Sequence, residues 1–247
     1  MLSYESMNSL LKYIAPKCFN EGQRECQNLG KNLVSHQKIN NFLDLGCSDG
    51  KFTLEFARSF NPEKIYGLDI SKSHCLTARK NGVNCKKHDL NHKFPYKNAL
   101  FDLILSSQNI EHLYNTRAYL EECYRCLKPD GQIIILTENL ASWPNIFSLV
   151  FGWQPFSTTN INGFSLGNPL IWHLDQQKSS CKDGHIRVLT PKGLSDLLKK
   201  TGFEKIKIQT KCYPPFWGSV SNFLCSIDRY HGHFLIANAF KPAHLGQ

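Results

Sequence analysis

Strand-like and helix-like segments alternate through the middle of the chain, and this alternation limits the fold more than any other feature of the sequence. The strand-like segments are short and rich in β-branched or large apolar residues. The segments between them carry apolar residues at helical spacing, and Ser71 and Gly82 supply a typical start and stop for one of them. We predict strands at 41–45, 64–69, 83–88, 101–106 and 132–137, and helices at 51–60, 71–81 and 116–127.

This alternation predicts an α/β fold built on a parallel sheet. The helices that connect parallel strands cover both faces of the sheet through right-handed crossovers. The pattern resumes near the end of the chain with a predicted helix at 191–201 and predicted strands at 205–210 and 233–240. Ligands of such sheets bind at the carboxyl ends of the strands, so we expect functional residues directly after the strands.

The length of 247 residues and the apolar content of 41% favour one large domain. We divide it into a helical N-terminal cap (1–40), a core (41–138), an insertion (139–188) and a C-terminal part of the sheet (189–247). The insertion contains Trp143, Trp153 and Trp172 but shows no periodic pattern. Because a long irregular insertion at a ligand-binding edge is more typical of a functional loop than of a passive connector, we expect a lid or substrate pocket.

The ten cysteines are scattered through predicted helices and strands, and we expect them to be reduced thiols. The one CxxC pair, Cys123 and Cys126, lacks a second pair to complete a zinc site. We therefore interpret it as two buried helix thiols and predict no metal site. The first twenty residues show no basic leader before an apolar stretch, and no later segment approaches a membrane span, so a cytoplasmic protein is expected.

The formal net charge of +9 is compatible with nucleic acid, an anionic membrane surface or an acidic substrate as partner. The lysines are spread along the chain and form no run of five. This distribution favours a generally basic, solvated surface over a dedicated nucleic-acid patch.

The segment DLGCSDGKF at 44–52 joins the first predicted strand to the first predicted helix through a glycine-containing loop. A Walker-type phosphate loop needs four residues between its glycines and a hydroxyl residue after its lysine. Here Gly46 and Gly50 enclose three residues, and Phe52 follows Lys51. The dinucleotide pattern G-x-G-x-x-G is absent too, because Ser48 stands at its second glycine.

The remaining pattern, Asp-x-Gly-x-Ser-x-Gly, resembles the first motif of the class I S-adenosylmethionine-dependent methyltransferases. Three later segments strengthen the resemblance: GLDIS, which contains Asp69, HDL, which contains Asp89, and LEECYRCLKPDGQIIILTE. The resemblance is strong over 40–138, moderate over 189–210 and the last strand, and most like the broad small-molecule group of type 11-like domains. It implies a methyltransferase with S-adenosyl-L-methionine as cofactor, and a Rossmann-like sheet of seven mostly parallel strands whose last strand is antiparallel.

The resemblance also implies roles for individual residues. Asp44 would lie near the methionine portion of the cofactor, Asp69 would accept hydrogen bonds from both ribose hydroxyls, and Asp89 would face the adenine amino group. Leu90 would contact the adenine ring, and Ser106 would lie beside the sulfonium. The full set of predicted cofactor-binding residues is Asp44, Gly46, Cys47, Ser48, Gly50, Asp69, Ile70, Asp89, Leu90 and Ser106.

Histidines are the candidate catalytic residues, because a hydroxyl acceptor must lose a proton during methyl transfer. His112 follows the fourth predicted strand, His173 lies in the insertion, and His185 lies near its end. Glu111 or Asp175 could orient such a base.

The residues after the fourth predicted strand narrow the acceptor class. The segment SSQN replaces the Asn/Asp-Pro-Pro-Tyr of amino-methyltransferases, and no Pro-Cys nucleophile is present, so nucleic acid is a less favoured substrate. Aromatic segments at 145–156 and 214–224 suggest an apolar acceptor pocket or peripheral contact with a membrane. We expect a small-molecule, lipid-linked or glycan acceptor methylated on oxygen; an RNA or protein methyltransferase and a non-catalytic cofactor-binding relative are the alternatives.

Overall fold

A seven-stranded sheet forms the centre of the computed structural model, which describes residues 4–35, 38–161, 164–170 and 184–243. The spatial order of its strands is β3-β2-β1-β4-β5-β9-β8, and β6 and β7 form a separate short hairpin. Strands β1 to β5 pair in parallel, whereas β9 runs antiparallel to both of its neighbours. The predicted α/β fold with an antiparallel last strand is confirmed. The strands are β1 (Asn41–Leu45), β2 (Lys64–Asp69), β3 (Asn84–Lys87), β4 (Phe101–Ser107), β5 (Leu127–Glu138), β6 (Asn160–Ile161), β7 (Phe164–Ser165), β8 (Glu204–Lys211) and β9 (Phe234–Phe240).

Seven α-helices are assigned within the described residues, and their ends follow local capping chemistry. The Ser71 side chain accepts a hydrogen bond from the His74 N–H at the start of α3, and Thr190 does the same for Gly193 in α6. None of these helices combines the length and the apolar character that crossing a bilayer requires. The helices are α1 (Tyr4–Asn32), α2 (Lys51–Ala57), α3 (Lys72–Lys80), α4 (Thr116–Cys126), α5 (Trp143–Val150), α6 (Pro191–Lys200) and α7 (Gly218–Ile227).

The hydrophobic core lies in two layers, one on each face of the sheet. Successive strand residues point to opposite faces, so Leu103 and Leu105 pack with α1 and α2, whereas Ile104 packs with α4 and α6. Cys123 and Cys126 are fully buried free thiols of α4 in the second layer. The interpretation of this pair as core residues is confirmed.

The insertion departs from the expectation of an irregular segment. It contains the helix α5, a 3₁₀ turn at Phe156–Thr158 and the β6–β7 hairpin. Helix α5, WPNIFSLV, was not predicted because it buries the polar Asn145 and Ser148 and exposes most of its apolar residues, which reverses the usual pattern. Helix α7 was not predicted for a similar reason, since its apolar residues lie on exposed as well as buried faces.

The two ends of the insertion lie side by side. Asn139 and Leu189 form a parallel β-bridge, and the Leu140 N–H donates to the Leu189 carbonyl over 3.0 Å. The insertion therefore leaves the sheet and returns to it at one place, just beyond the carboxyl end of β5.

Candidate cofactor and acceptor site

The glycine loop between β1 and α2 is shaped by left-handed backbone conformations. The φ angles are 72° at Gly46, 47° at Ser48 and 81° at Gly50. Most backbone N–H groups of the loop are already donated to protein acceptors, whereas a phosphate loop directs such groups at its ligand. The structure agrees with the exclusion of a phosphate loop. The donors are Gly46 and Cys47 to the Leu68 carbonyl, Ser48 to the Asp69 carboxylate, Gly50 to the Cys47 carbonyl and Lys51 to the Asp49 side chain.

Asp44 lies in β1 beneath this loop and is 2% exposed. Its Oδ2 accepts a hydrogen bond of 2.6 Å from the Thr53 hydroxyl of α2, while its Oδ1 has no partner among the described residues. Burial raises the pKa of Asp44 to about 7, although the Thr53 hydrogen bond opposes the shift. A buried carboxylate oxygen without a partner suits a cationic ligand group.

Asp69 ends β2 and fixes the shape of the loop. Its Oδ2 accepts from the Ser48 N–H at 2.9 Å and its Oδ1 from the Ser71 N–H at 2.8 Å, and His74 Nδ1 lies 3.4 Å from Oδ1. A carboxylate offers about four lone-pair sites, so the two backbone donors leave capacity for ligand hydroxyls. Its role as the ribose ligand stays a prediction.

The residues predicted to contact adenine lie after β2 and β3. Asp89 Oδ1 accepts from the backbone and side-chain N–H groups of Asn91 at 2.9 and 3.0 Å, and its side chain remains 39% exposed. Ile70 is 66% exposed, whereas Leu90 is buried. Their contacts with the cofactor stay predictions.

Two other predicted site residues point into the protein. Cys47 is buried, with its Sγ 3.4 Å from the Cys85 Sγ. Ser106 is fully buried and accepts a hydrogen bond of 2.8 Å from the Tyr119 hydroxyl of α4, so its own hydroxyl faces the α4 side of the sheet. Any contribution of Ser106 to a ligand would come through its backbone.

Asn109 lies against the glycine loop, and the sequence patterns did not identify it. It follows β4, and its amide donates to the Leu45 carbonyl at 2.6 Å and the Ser107 carbonyl at 2.7 Å. A Cβ atom added to Gly46 would lie only 2.0 Å from Asn109 Oδ1. Gly46 is therefore required by the close approach of Asn109 as well as by its own φ angle.

Three residues from two distant segments meet beyond Asn109, and we call Glu111, His112 and His185 the Glu-His-His cluster. Glu111 and His112 belong to the 3₁₀ turn Ile110–His112 after β4, and His185 lies near the end of the insertion. The carbonyl of Glu111 accepts from the Ile186 N–H at 2.7 Å and the Arg187 N–H at 3.0 Å, which holds the two segments together.

Glu111 is fully buried within this cluster. Its Oε2 accepts a hydrogen bond of 2.8 Å from the Thr137 hydroxyl of β5, and its Oε1 has no hydrogen-bond partner in the described parts of the chain. Burial raises the pKa of Glu111 to about 7. The interior thus holds a carboxyl group with one unsatisfied oxygen.

Each histidine of the cluster donates its Nδ1–H to a backbone carbonyl. His112 Nδ1 lies 2.7 Å from the Gly184 carbonyl, and His185 Nδ1 lies 2.7 Å from the Ser157 carbonyl. Because a carbonyl only accepts, both Nδ1 atoms carry a proton, and Nε2 is the nitrogen that gains or loses a proton when either ring titrates. The ring centroids are 4.7 Å apart. The candidates His112 and His185 are thereby brought together, whereas His173 and Asp175 lie outside the described residues.

Glu138, at the end of β5, is a further residue that the sequence did not reveal. It is 6% exposed, and its Oε2 lies 3.5 Å from His185 Nδ1. Burial alone would lower the pKa of His185, but contact with Glu138 outweighs burial and raises it to about 9. Burial likewise favours a raised pKa for Glu138, but His185 outweighs it and lowers the value to about 2. The two side chains form an ion pair at neutral pH.

Comparison with known proteins agrees with this geometry. Residues 43–135, from β1 to β5, match the family model described as the Methyltransferase domain. Residues 43–135 therefore carry a methyltransferase domain, as the resemblance to the class I S-adenosylmethionine-dependent methyltransferases implies. The predicted enzyme class and the predicted cofactor, S-adenosyl-L-methionine, are confirmed for this domain.

Curated relatives of the methyltransferase domain include two enzymes of quinone biosynthesis. A demethylmenaquinone methyltransferase of Listeria monocytogenes serotype 4a is 26% identical over 159 residues, which are 60% of this chain and 64% of that protein. A ubiquinone biosynthesis O-methyltransferase of Rhodopseudomonas palustris is 26% identical over 151 residues, covering 55% of this chain and 56% of that protein. The chain thus matches less than two thirds of the length of these relatives.

The fold of the methyltransferase domain also recurs in solved structures. The crystal structure of an S-adenosylmethionine-dependent methyltransferase from Thermotoga maritima has a TM-score of 0.62 at 20% identity, and the alignment covers 91% of both chains. At this identity the similarity shows the shared fold alone.

The residues present fit the cofactor. Asp44 offers a buried carboxylate oxygen with no described partner, and Asp69 retains acceptor capacity at the next strand end. When bound, S-adenosylmethionine supplies a methyl group made electrophilic by its sulfonium. The protein contributes the positions of the donor and acceptor groups around it.

Proposed function

We propose that this domain methylates a hydroxyl oxygen of a small-molecule acceptor that is lipid-linked, of the hydroxylated aromatic kind from which quinones are made. The observation that carries the proposal is the Glu-His-His cluster at the acceptor edge of the sheet. His112 follows Asn109 by three residues, so at most about 11 Å of chain separates it from the residue that contacts Gly46. The names of the two quinone-pathway relatives support the same acceptor class.

The cluster supports oxygen as the methylated atom because a hydroxyl must lose its proton as the new bond forms. His112 has the tautomer that a base requires, with its Nδ1–H held by the Gly184 carbonyl and its Nε2 basic. His185 is charged beside Glu138 and so suits stabilisation of a developing oxyanion. The methyl carbon bonds to the acceptor oxygen as its bond to sulfur breaks, and the hydroxyl proton passes to the base.

On the cofactor side, each carboxylate has a distinct task in the proposal. Asp44 Oδ1 accepts from the ammonium of the methionine portion, Asp69 accepts from the ribose hydroxyls, and Asp89 faces the adenine. The hydrogen bond from Thr53 and the backbone donors at Asp69 keep the first two carboxylates oriented before the ligand arrives.

The lipid-linked acceptor is supported by an exposed apolar surface on α5, α7 and the residues that flank them, which we call the apolar rim. On α7, Phe223 is 64% exposed and Ile227 is 66% exposed. Trp143 at the start of α5 contacts Asp228 at the end of α7, so the two helices adjoin. Such a surface suits the boundary of a membrane that contains the acceptor. The rim comprises Trp143, Phe147, Leu149, Val150, Phe151, Phe216, Val220, Phe223, Ile227 and Tyr230.

The test is methyl transfer from radiolabelled S-adenosylmethionine to hydroxylated aromatic acceptors with and without an isoprenoid tail. We expect an O-methyl product, with a higher kcat/KM for the tailed acceptors. His112→Ala should lower turnover, whereas His231→Ala, a histidine paired with Asp228 away from the cluster, should not. Transfer to nitrogen or carbon only, or to none of these acceptors, would refute the proposal.

The rim is tested separately by flotation with vesicles of phosphatidylglycerol and phosphatidylcholine. The change Phe223→Ser with Ile227→Ser should reduce vesicle binding. Leu76→Ser, which removes a 48% exposed leucine from α3, serves as the matched control. Equal binding by both variants would exclude the rim as the membrane surface.

A further inference from the structure

We propose that the Glu-His-His cluster is a binding site for one divalent transition-metal ion of the zinc type. The inference deepens the proposed function, on which its catalytic meaning rests, because an ion there would lie where the acceptor oxygen is expected. The three side chains offer one carboxylate oxygen and two imidazole nitrogens, a donor set that binds zinc and related first-row ions in proteins.

The geometry of the cluster suits such an ion. The three candidate ligand atoms all lie within 4.8 Å of one another. A tetrahedral ion about 2.1 Å from each ligand would place the ligands about 3.4 Å apart, so small side-chain rotations complete the site. Hard ions such as Mg²⁺ prefer oxygen ligands and are disfavoured by the two imidazoles.

The buried carboxylate supplies independent support. Glu111 is fully buried, Thr137 holds its Oε2, and its Oε1 finds no hydrogen-bond donor in the described ranges. Leaving a buried carboxylate oxygen without a partner is costly. A metal ion at the cluster would satisfy this oxygen.

The surroundings also match those of metal-ligating histidines. Such residues donate their second ring N–H to a carbonyl or a carboxylate, which fixes the ring and the tautomer. His112 Nδ1 donates to the Gly184 carbonyl, and His185 Nδ1 donates to the Ser157 carbonyl with Glu138 3.5 Å away. In both rings Nε2 is therefore the nitrogen that can ligate, and a bound ion would displace the Nε2 proton of His185.

No local sequence pattern marks this site, because His185 is more than 70 residues from Glu111 and His112 along the chain. The CxxC pair, which is the spacing that most often indicates zinc, consists of buried core thiols instead. With Glu111, His112 and His185 as its three protein ligands, the ion would keep an open coordination position, which is typical of catalytic zinc sites and not of structural ones. An acceptor hydroxyl at an open position would become more acidic and would release its proton to solvent. His112 would then ligate the ion, and its role as the base would apply to the metal-free chain.

The test is titration of tag-free, chelator-treated protein with Co²⁺, followed by its visible spectrum, and competition with Zn²⁺. We expect one ion per chain and no thiolate-to-cobalt charge-transfer band, which separates this site from the cysteines. Glu111→Gln and His185→Ala should abolish binding, whereas Glu138→Gln, a positioning change, should weaken it roughly 10–100-fold. His231→Ala should bind like the wild type.

The result that overturns the site is a wild-type chain that binds no ion, or binding that survives both Glu111→Gln and His185→Ala. Circular dichroism of each variant confirms folding, and the isosteric Glu111→Gln keeps the test valid if His185→Ala does not fold. A chain that binds Co²⁺ through the cluster but methylates no hydroxyl keeps the site and loses the proposed function. A chain that binds no ion but methylates a hydroxyl at the full rate loses the metal site and keeps the proposed function.

Discussion

Replacing Gly46 with alanine should destabilise the protein more than any ordinary glycine replacement, because two separate costs coincide there. Gly46 has a φ of 72°, a conformation that costs an alanine roughly 1–2 kcal/mol. The new Cβ would also lie 2.0 Å from Asn109 Oδ1 and 2.7 Å from its Cγ and Nδ2, so the whole amide must move.

Moving Asn109 breaks its hydrogen bonds to the Leu45 and Ser107 carbonyls, which contribute about 1 kcal/mol each. The expected total for Gly46→Ala is therefore about 3–4 kcal/mol. Gly152 supplies the matched control, since its φ is 70° and nothing lies within 4 Å of an added Cβ. Gly152→Ala should cost only the roughly 1–2 kcal/mol of backbone strain.

The assay is urea unfolding of both variants, with isothermal titration of the demethylated cofactor S-adenosylhomocysteine. Gly46→Ala should also weaken cofactor binding, and Gly152→Ala should not. In an Asn109→Ala background the amide is already gone, so Gly46→Ala should then cost only the strain. Equal losses of stability for the two glycines, or an undiminished loss in that background, would refute the reasoning.

Three further outcomes are expected at the same site. Asp69→Ala should abolish binding of S-adenosylhomocysteine in titration calorimetry, while Asp69→Asn, which keeps one acceptor oxygen, should retain a fraction of the affinity; wild-type affinity in both would remove Asp69 from the site. Because burial raises the pKa of Asp44 from 3.8 to about 7, the native state holds an extra proton between these values and loses stability as pH rises through them. Asp44→Asn should therefore remove a decline of about 1.4 kcal/mol per pH unit, measured by urea unfolding at pH 5 and pH 7; an unchanged slope contradicts this. His112→Ala should lower turnover by roughly 100-fold or more and leave cofactor affinity intact, and wild-type turnover would exclude His112 from the reaction.

The sheet was predictable because each strand carries its own signal. The segments NFLDL and KIYGLD are apolar, short and bounded by turn residues, and both strands have the predicted bounds. Asp44 and Asp69 could be located for the same reason, since a residue at the end of a parallel strand is fixed at the ligand edge by topology alone.

Asn109 and Glu138 could not be found this way, because their roles depend on contacts between segments rather than on local pattern. Asn109 matters through its approach to Gly46, and Glu138 through its distance to His185. Helices α5 and α7 escaped detection because their apolar residues are not confined to one buried face. The helical spacing of apolar residues indicates a face buried against the core, so it does not reveal helices whose apolar residues are exposed.

The bridge between Asn139 and Leu189 holds the two ends of the insertion side by side at one fixed point of the sheet. The two ends of the insertion are joined to each other at the sheet, so changes in the length or composition of the intervening chain need not disturb β1 to β5. Exchanging the parts of the insertion that leave Ser157, Gly184 and His185 in place would be a direct route to new acceptor preferences.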